Sequence, residues 1–121
     1  MADGPGMMGP GMMGIGMMAV RINQDSVKTG DIRFDVTNWS RGIIHELMVV
    51  KVDSPQAPLP YDYVQGKVAE DQVKVLRDTG NLEPNTSAMF DITLTPGTYM
   101  LICNVPGHYA AGMATPLTVT P

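Results

Sequence analysis

The chain has 121 residues, a formal net charge of −4 and a pI near 4.8. This length suits one domain with a hydrophobic core, and the acidic balance argues against nucleic acid or an anionic membrane as a partner, since both need a concentrated positive surface. The single cysteine excludes an internal disulfide and zinc sites built from three or four cysteines, and no apolar stretch is long enough for a membrane-spanning helix.

The N-terminal segment carries a five-residue repeat in which glycine precedes each pair of methionines. The pairs are Met7 and Met8, Met12 and Met13, and Met17 and Met18. A period of five matches neither a helix nor a strand, and the glycines raise the entropy cost of ordering. We therefore expect residues 1–18 to be a flexible tail and residues 19–121 to be the folded domain. The six thioethers are candidate ligands for Cu(I); low-complexity drift or contact with a partner are the alternatives.

Alternation of apolar and polar residues predicts strands in the first half of the folded domain. Residues 32–37 alternate cleanly, and residues 44–52 form a second candidate strand. In that strand His45 lies on the same face as Leu47 and Val49.

Residues 61–79 follow a proline-rich break and fit either a helix or a strand, and we favour a short helical insertion. Further strands are predicted at residues 88–94, 98–103 and about 116–120. Seven or so short strands predict an all-β sandwich of two sheets. Three methionines of the predicted strands, Met48, Met89 and Met100, are interpreted as strand packing.

The chemistry is concentrated in the loop that follows the strand at residues 98–103. A thiolate, an imidazole and a thioether recur there at intervals of five, as Cys103, His108 and Met113. This mixed donor set suits copper that changes oxidation state, whereas zinc gains little from a thioether. A lone cysteine is more often a buried hydrophobe, but the spacing of the other donors favours a ligand. His45 is the one other histidine, so it is the candidate second imidazole; we expect it to be buried and His108 to lie nearer the surface.

The segment from Thr95 to Met113 resembles the C-terminal ligand segment of the cupredoxins, and the isolated His45 is similar to the first ligand of that family. The spacing of four residues between successive ligands resembles the rusticyanin and sulfocyanin branch. The resemblance implies a Greek-key β-sandwich, one type 1 copper ion and electron transfer through the edge of His108.

Four residues around these ligands complete the predicted site: Glu46, Asn104, Pro106 and Ala111. Glu46 stands where many cupredoxins have asparagine or serine, so its contacts are an open question. Asn104 and Ile102 flank Cys103 where multicopper oxidases have histidines, so we expect no oxygen reduction. The sequence shows no open metal position, second metal or acid–base pair, so we expect no enzyme; oxidation of Cu(I) by electron transfer at the same site stays an open alternative. We expect Pro106 to shape the ligand loop. We expect Ala111 to belong to an apolar collar around His108 that serves docking; the other members of this collar are Val105, Pro106, Ala110 and Gly112.

Two functions fit these residues. The first is copper handling and tolerance in the periplasm, with the methionine tail binding Cu(I). The second is an electron shuttle between redox enzymes, in which the tail is incidental. The partner would accordingly be a copper-handling protein or a redox protein, and we expect a monomer. Export would require a signal peptide that is absent from this chain.

Overall fold

The computed structural model describes residues 12–16, 19–56 and 58–121, and residues 12–16 by their backbone alone. Strands dominate this part of the chain. They are β1 (Met12–Gly16), β2 (Ala19–Ile22), β3 (Ser26–Lys28), β4 (Gly30–Asn38), β5 (Met48–Val52), β6 (Tyr61–Asp62), β7 (Lys67–Val68), β8 (Lys74–Asp78), β9 (Ser87–Leu94), β10 (Gly97–Ile102) and β11 (Ala114–Thr120). None of the helices in these residues is long and apolar enough to cross a membrane.

The strands form two main sheets, which confirms the predicted all-β sandwich. One sheet has the order β2-β1-β4-β9, and the other has the order β3-β11-β10-β5-β8. Strands β6 and β7 form a separate hairpin. Most pairings are antiparallel; β1 with β4 and β3 with β11 are parallel.

The main core lies between the two sheets and follows from the alternation in the sequence. In β4 the buried apolar residues are Ile32, Phe34 and Val36, with more exposed residues between them. Phe34 stacks on Phe90 of β9, with ring centroids 5.1 Å apart. Leu101 and Cys103 complete the inward face where β10 ends. The cysteine faces the core because alternate residues of a strand point to the same side.

A second apolar cluster covers the outer face of β5 and β10. Met48, Val50 and Ile102 pack there against Val68 of the β6–β7 hairpin. Because both faces of β5 are buried at its start, the strand begins with three consecutive buried apolar residues, Met48 to Val50. The segment that provides the cover is the one for which we predicted a helix. That prediction is wrong except for one 3-10 turn at Glu70–Gln72, because β8 pairs with the edge of β5 and the hairpin supplies the rest.

The first strand lies inside the segment that we predicted to be a flexible tail. β1 occupies Met12–Gly16 and pairs with both β2 and β4, so the boundary predicted at residue 19 is wrong for these five residues. Pairing on both sides provides backbone hydrogen bonds that a pattern of side chains does not reveal. The rest of the predicted tail, residues 1–11, 17 and 18, lies outside the described residues.

Candidate metal centre

The predicted ligands come from three places at one end of the sandwich. Cys103 directly follows β10, Met113 directly precedes β11, and His45 lies three residues before β5. Cys103, Met113 and His45 are all 0% exposed, whereas His108 is only partly buried. The predicted difference in burial between the two histidines is therefore confirmed.

Backbone hydrogen bonds close the ligand loop between β10 and β11. The N–H of Cys103 donates to the carbonyl of Met113 at 3.1 Å, and the N–H of Met113 donates to the carbonyl of His108 at 3.2 Å. Gly107 has a φ of +84°, a conformation that favours glycine, and the Pro106-Gly107 pair turns the chain so that His108 faces back towards the cysteine. The loop thus brings three donors together within eleven residues.

His45 is held by a second set of contacts that the sequence did not reveal. Its N–H and carbonyl pair with Leu82, at 3.2 and 2.6 Å. The buried amide of Asn38 donates to the carbonyls of Leu82 and Ile43, both at 2.8 Å, and so ties the two segments together. An asparagine at the end of a predicted strand, before a turn, was the one available sign of this role.

The donor atoms of the two histidines and the cysteine converge. Cys103 Sγ lies 3.6 Å from His45 Nδ1 and 3.3 Å from His108 Nδ1, and all three donor atoms lie within 4.8 Å of one another. With metal–nitrogen and metal–sulfur bonds of about 2.0 and 2.3 Å, as for zinc, donors around one ion would lie roughly 3.5–3.8 Å apart. The separations found therefore fit a single metal ion.

The environment of the sulfur favours a metal-bound thiolate. Burial raises the pKa of the Cys103 thiol, while the backbone N–H groups of Glu46 and Val105 lower it. The N–H of Glu46 lies 3.4 Å from the sulfur. Without a metal the buried group is kept as a thiol, and a bound cation replaces the proton while the N–H dipoles stabilise the negative sulfur. Burial also lowers the pKa of His108, which favours the neutral imidazole that binds metals.

Glu46 therefore contacts the site through its backbone, which settles the open question about this position. Its side chain is half-buried beside Asp78, and burial together with that carboxyl group raises the pKa of Glu46 to about 7. Many cupredoxins have asparagine or serine at this position. Here the residue is glutamate, and its backbone N–H is the group that contacts the sulfur.

Asn104 points away from the metal and anchors the β6–β7 hairpin. It is 1% exposed, accepts from the N–H of Val68 at 2.7 Å and donates to the carbonyl of Val68 at 3.0 Å. It also donates to Glu70 at 2.9 Å. Because Cys103 faces inwards, its neighbour must face outwards, and the hairpin is what it meets there.

The remaining predicted residues differ in what the structure shows of them. Pro106 and Ala111 are exposed in the ligand loop. Met12 and Met13 lie in β1, and the other tail methionines, Met7, Met8, Met17 and Met18, lie outside the described residues. Of the three strand methionines, Met48 and Met100 are buried as predicted, but Met89 is 60% exposed, so packing was the wrong interpretation for it.

Comparison with known proteins gives a family match over most of the chain. The model described as "Copper binding proteins, plastocyanin/azurin family" matches residues 11–120. A local match links the chain to auracyanin-B of Chloroflexus aurantiacus, at 66% identity over 29 residues. That stretch spans 24% of this chain and 12% of the curated relative.

Solved structures agree with the sandwich. A reduced auracyanin from Roseiflexus castenholzii is 25% identical, with a TM-score of 0.65, covering 89% of this chain and 95% of that one. A reduced rusticyanin is 24% identical, with a TM-score of 0.60, and the match covers 78% of this chain and 61% of the rusticyanin chain. At this identity the match shows only that the two folds are similar.

The donor set and the matched family together identify the cofactor as copper. His45, Cys103, His108 and Met113 form a type 1 site, in which two imidazoles and a thiolate are joined by a weak thioether. Zinc would need a fourth strong ligand in place of the thioether.

Proposed function

Because the chain belongs to the plastocyanin/azurin family of copper-binding proteins, we propose that it carries single electrons, which enter and leave through His108. The observation that carries the proposal is the difference in burial among the ligands. His45, Cys103 and Met113 are 0% exposed, and His108 alone of the four is partly exposed. Bound copper supplies the redox chemistry by alternating between its cupric and cuprous states.

The protein contributes to this chemistry by fixing the positions of the ligands and by excluding water from them. The backbone bonds between Cys103 and Met113 and between His45 and Leu82 fix the ligands from both sides of the site. Buried ligands exclude water from the metal, so we expect the site to exchange electrons without opening a coordination position for a substrate. Such a closed site favours a carrier over an enzyme.

The surface around His108 supports brief docking. From Cys103 to Met113 the loop contains no aspartate, glutamate, lysine or arginine. Its exposed residues are Pro106, Gly107, Ala110, Ala111 and Gly112. A small uncharged surface suits a transient complex, because little desolvation of charge opposes its formation and no ion pair within the loop slows its release.

A direct test is to load the protein with copper and follow its redox cycle. We expect an intense visible thiolate-to-copper band and one electron per chain taken from ascorbate and passed to ferricyanide, over repeated cycles. The Cys103→Ser variant should lose the band. A protein that binds copper but cannot be cycled reversibly would contradict the proposal.

Docking at His108 has its own test. Ala111→Asp places a charge on the apolar collar without touching a ligand, so it should slow electron exchange with a protein partner and leave the visible band unchanged. An unchanged rate would place docking elsewhere on the surface.

Copper handling is a second candidate function, favoured by the repeated methionine pairs. Among the described residues, β1 carries Met12 and Met13, and Met12 lies opposite Asp35 of β4 in the backbone register. In this candidate the six methionines of the predicted tail bind Cu(I), and a type 1 site holding cupric ion would accept one electron from it and become cuprous.

Because β1 belongs to the sheet, truncation is the wrong test of this function. Replacing the six tail methionines with leucine keeps the chain length and the apolar character. Titration of Cu(I) against the competing chelator bicinchoninate should then show fewer ions bound per chain than in the parent protein. Equal numbers bound would exclude the tail.

We place the protein in the periplasm as an exported monomer. The copper chemistry of the family supports this location, and fractionation of cells that express the natural gene tests it. Recovery in the cytoplasmic fraction would overturn this localisation. Light scattering at micromolar concentration measures the oligomeric state.

A further inference from the structure

The turn of the β6–β7 hairpin exposes two apolar side chains beside the ligand loop. Tyr63 is 88% exposed and Val64 is 96% exposed, the highest values among the large hydrophobic residues that the structure describes. Neither side chain contributes to the core. An adjacent pair of exposed apolar residues outside the core is a candidate for contact with another molecule.

The turn is attached to the ligand loop next to His108. The N–H of Gly107 donates to the carbonyl of Gly66 at 2.7 Å, and a Cβ on Gly66 would lie 3.5 Å from the Gly107 nitrogen. Val64 is two residues from Gly66, so their Cα atoms are at most about 7.6 Å apart. The exposed pair therefore borders the surface through which His108 exchanges electrons.

The turn is held in one conformation. Asp62 accepts hydrogen bonds from the N–H groups of Val64 and Gln65, at 2.9 and 3.1 Å, and its carbonyl accepts from Gly66 at 2.8 Å. The ring of Tyr63 meets that of Tyr61 edge-on at 5.0 Å. A preorganised apolar contact loses little entropy when it binds, which is what a partner-contacting element requires.

The charge on the hairpin and on the 3-10 turn that follows it indicates the kind of partner. Residues 60–72 contain Asp62, Glu70 and Asp71 against one cation, Lys67, which lies 3.5 Å from Glu70. The ligand loop beside them is uncharged. The docking surface is thus apolar in the middle and negative on the hairpin side, so it complements an apolar patch with a positive rim.

We infer that the Tyr63–Gly66 turn determines which partner docks, and that the partner is a redox protein whose exposed cofactor edge lies in an apolar patch rimmed by lysine or arginine. This inference rests on the proposed electron carrier. A second copy of this chain is a poorer occupant, because it would bring the same negative flank against itself.

The test uses full-length copper protein and a basic mitochondrial cytochrome c as the probe. The variants are Tyr63→Ser with Val64→Ser, and Met89→Ser as the matched control, an exposed apolar residue on β9. One electron passes from the cuprous protein to the ferric haem iron, so copper is oxidised and iron is reduced, and the rate is followed at the haem absorption band. Ferricyanide serves as a small reagent that needs no docking surface.

We expect the double variant to react with cytochrome c about tenfold more slowly than the parent, as for loss of an apolar anchor at an interface. Met89→Ser should react at the parent rate, and all three proteins should react alike with ferricyanide. The parent rate should also fall with added salt and with succinylated cytochrome c, whose lysine rim has been made negative.

Three results would overturn the inference. The first is a double variant that reacts with cytochrome c at the parent rate. The second is a parent protein that reacts equally fast with the basic and the succinylated cytochrome. The third is a parent protein that forms a concentration-dependent dimer, with the double variant remaining a monomer. Failure of the proposed carrier function is distinguishable, because it would appear as loss of reaction with ferricyanide in the parent protein itself.

Discussion

The side-chain amide of Asn104 bonds to both backbone groups of Val68, accepting from the N–H at 2.7 Å and donating to the carbonyl at 3.0 Å. The residue next to the copper-binding cysteine thereby completes a β-like pairing for a hairpin 36 residues away in sequence. Both residues are 1% exposed, so water cannot replace these bonds.

Asn104→Ala should destabilise the fold by about 2–3 kcal/mol, because it leaves two buried backbone groups of Val68 without their partners. Urea unfolding measures the change, and amide hydrogen exchange at Val68 should accelerate. Asn81→Ala, at an exposed asparagine, is the control and should cost under about 0.5 kcal/mol. Equal losses in the two variants would show that the pairing contributes nothing to stability.

Gly107→Ala should cost about 1–2 kcal/mol, since at a φ of +84° a Cβ clashes with the backbone although no other atom lies within 4 Å of it. It should also perturb the visible band, because His108 follows directly. Gly42→Ala, equally free of neighbours but without a positive φ, should be neutral or slightly stabilising. Thermal unfolding and the visible spectrum of each variant measure the two effects.

Met113→Leu should keep the visible band and raise the reduction potential. Loss of the thioether removes electron density that stabilises the cupric form more than the cuprous form. The rise should be tens of millivolts, at about 59 mV for each tenfold gain in preference for Cu(I). Met48→Leu, at another fully buried methionine, should leave the potential unchanged. Voltammetry on both variants decides, and a lower potential for Met113→Leu would contradict the role given to the thioether.

Removing copper should lower the thermal stability, because the ion joins the segment before β5 to the loop between β10 and β11. With free copper a hundredfold above the dissociation constant, binding adds about 2.7 kcal/mol. For a domain of this size that corresponds to a rise of about 10 °C in Tm. Calorimetry of apo and loaded protein measures the difference, which should shrink sharply in Cys103→Ser.

Much of the site could be predicted from local sequence. Cys103, His108 and Met113 lie on one loop, so their spacing alone brings them together. His45 could be assigned because the chain has one other imidazole. The all-β class and the inward faces of β4 and β9 followed from alternation, which reports burial directly.

The elements predicted wrongly are those whose conformation depends on distant pairing. Residues 61–79 form a hairpin and an edge strand because β5 and Asn104 provide hydrogen-bond partners for them. The local sequence pattern does not reveal these distant partners. The same holds for β1, which lies between two strands in a segment whose glycines and period of five favoured a flexible chain. Met89 was misread because β9 alternates correctly while its outer face remains uncovered.

By itself, the sequence determined the donor atoms, and with them the metal, because ligand type and spacing are chemical properties of a short segment. Only the tertiary structure decided the position of His45, the N–H of Glu46 at the sulfur, and the hairpin that Asn104 and Gly107 hold beside His108. The physical reason is the range of the interactions. Coordination within one loop closes over eleven residues, whereas these contacts require strands far apart in sequence to be paired first.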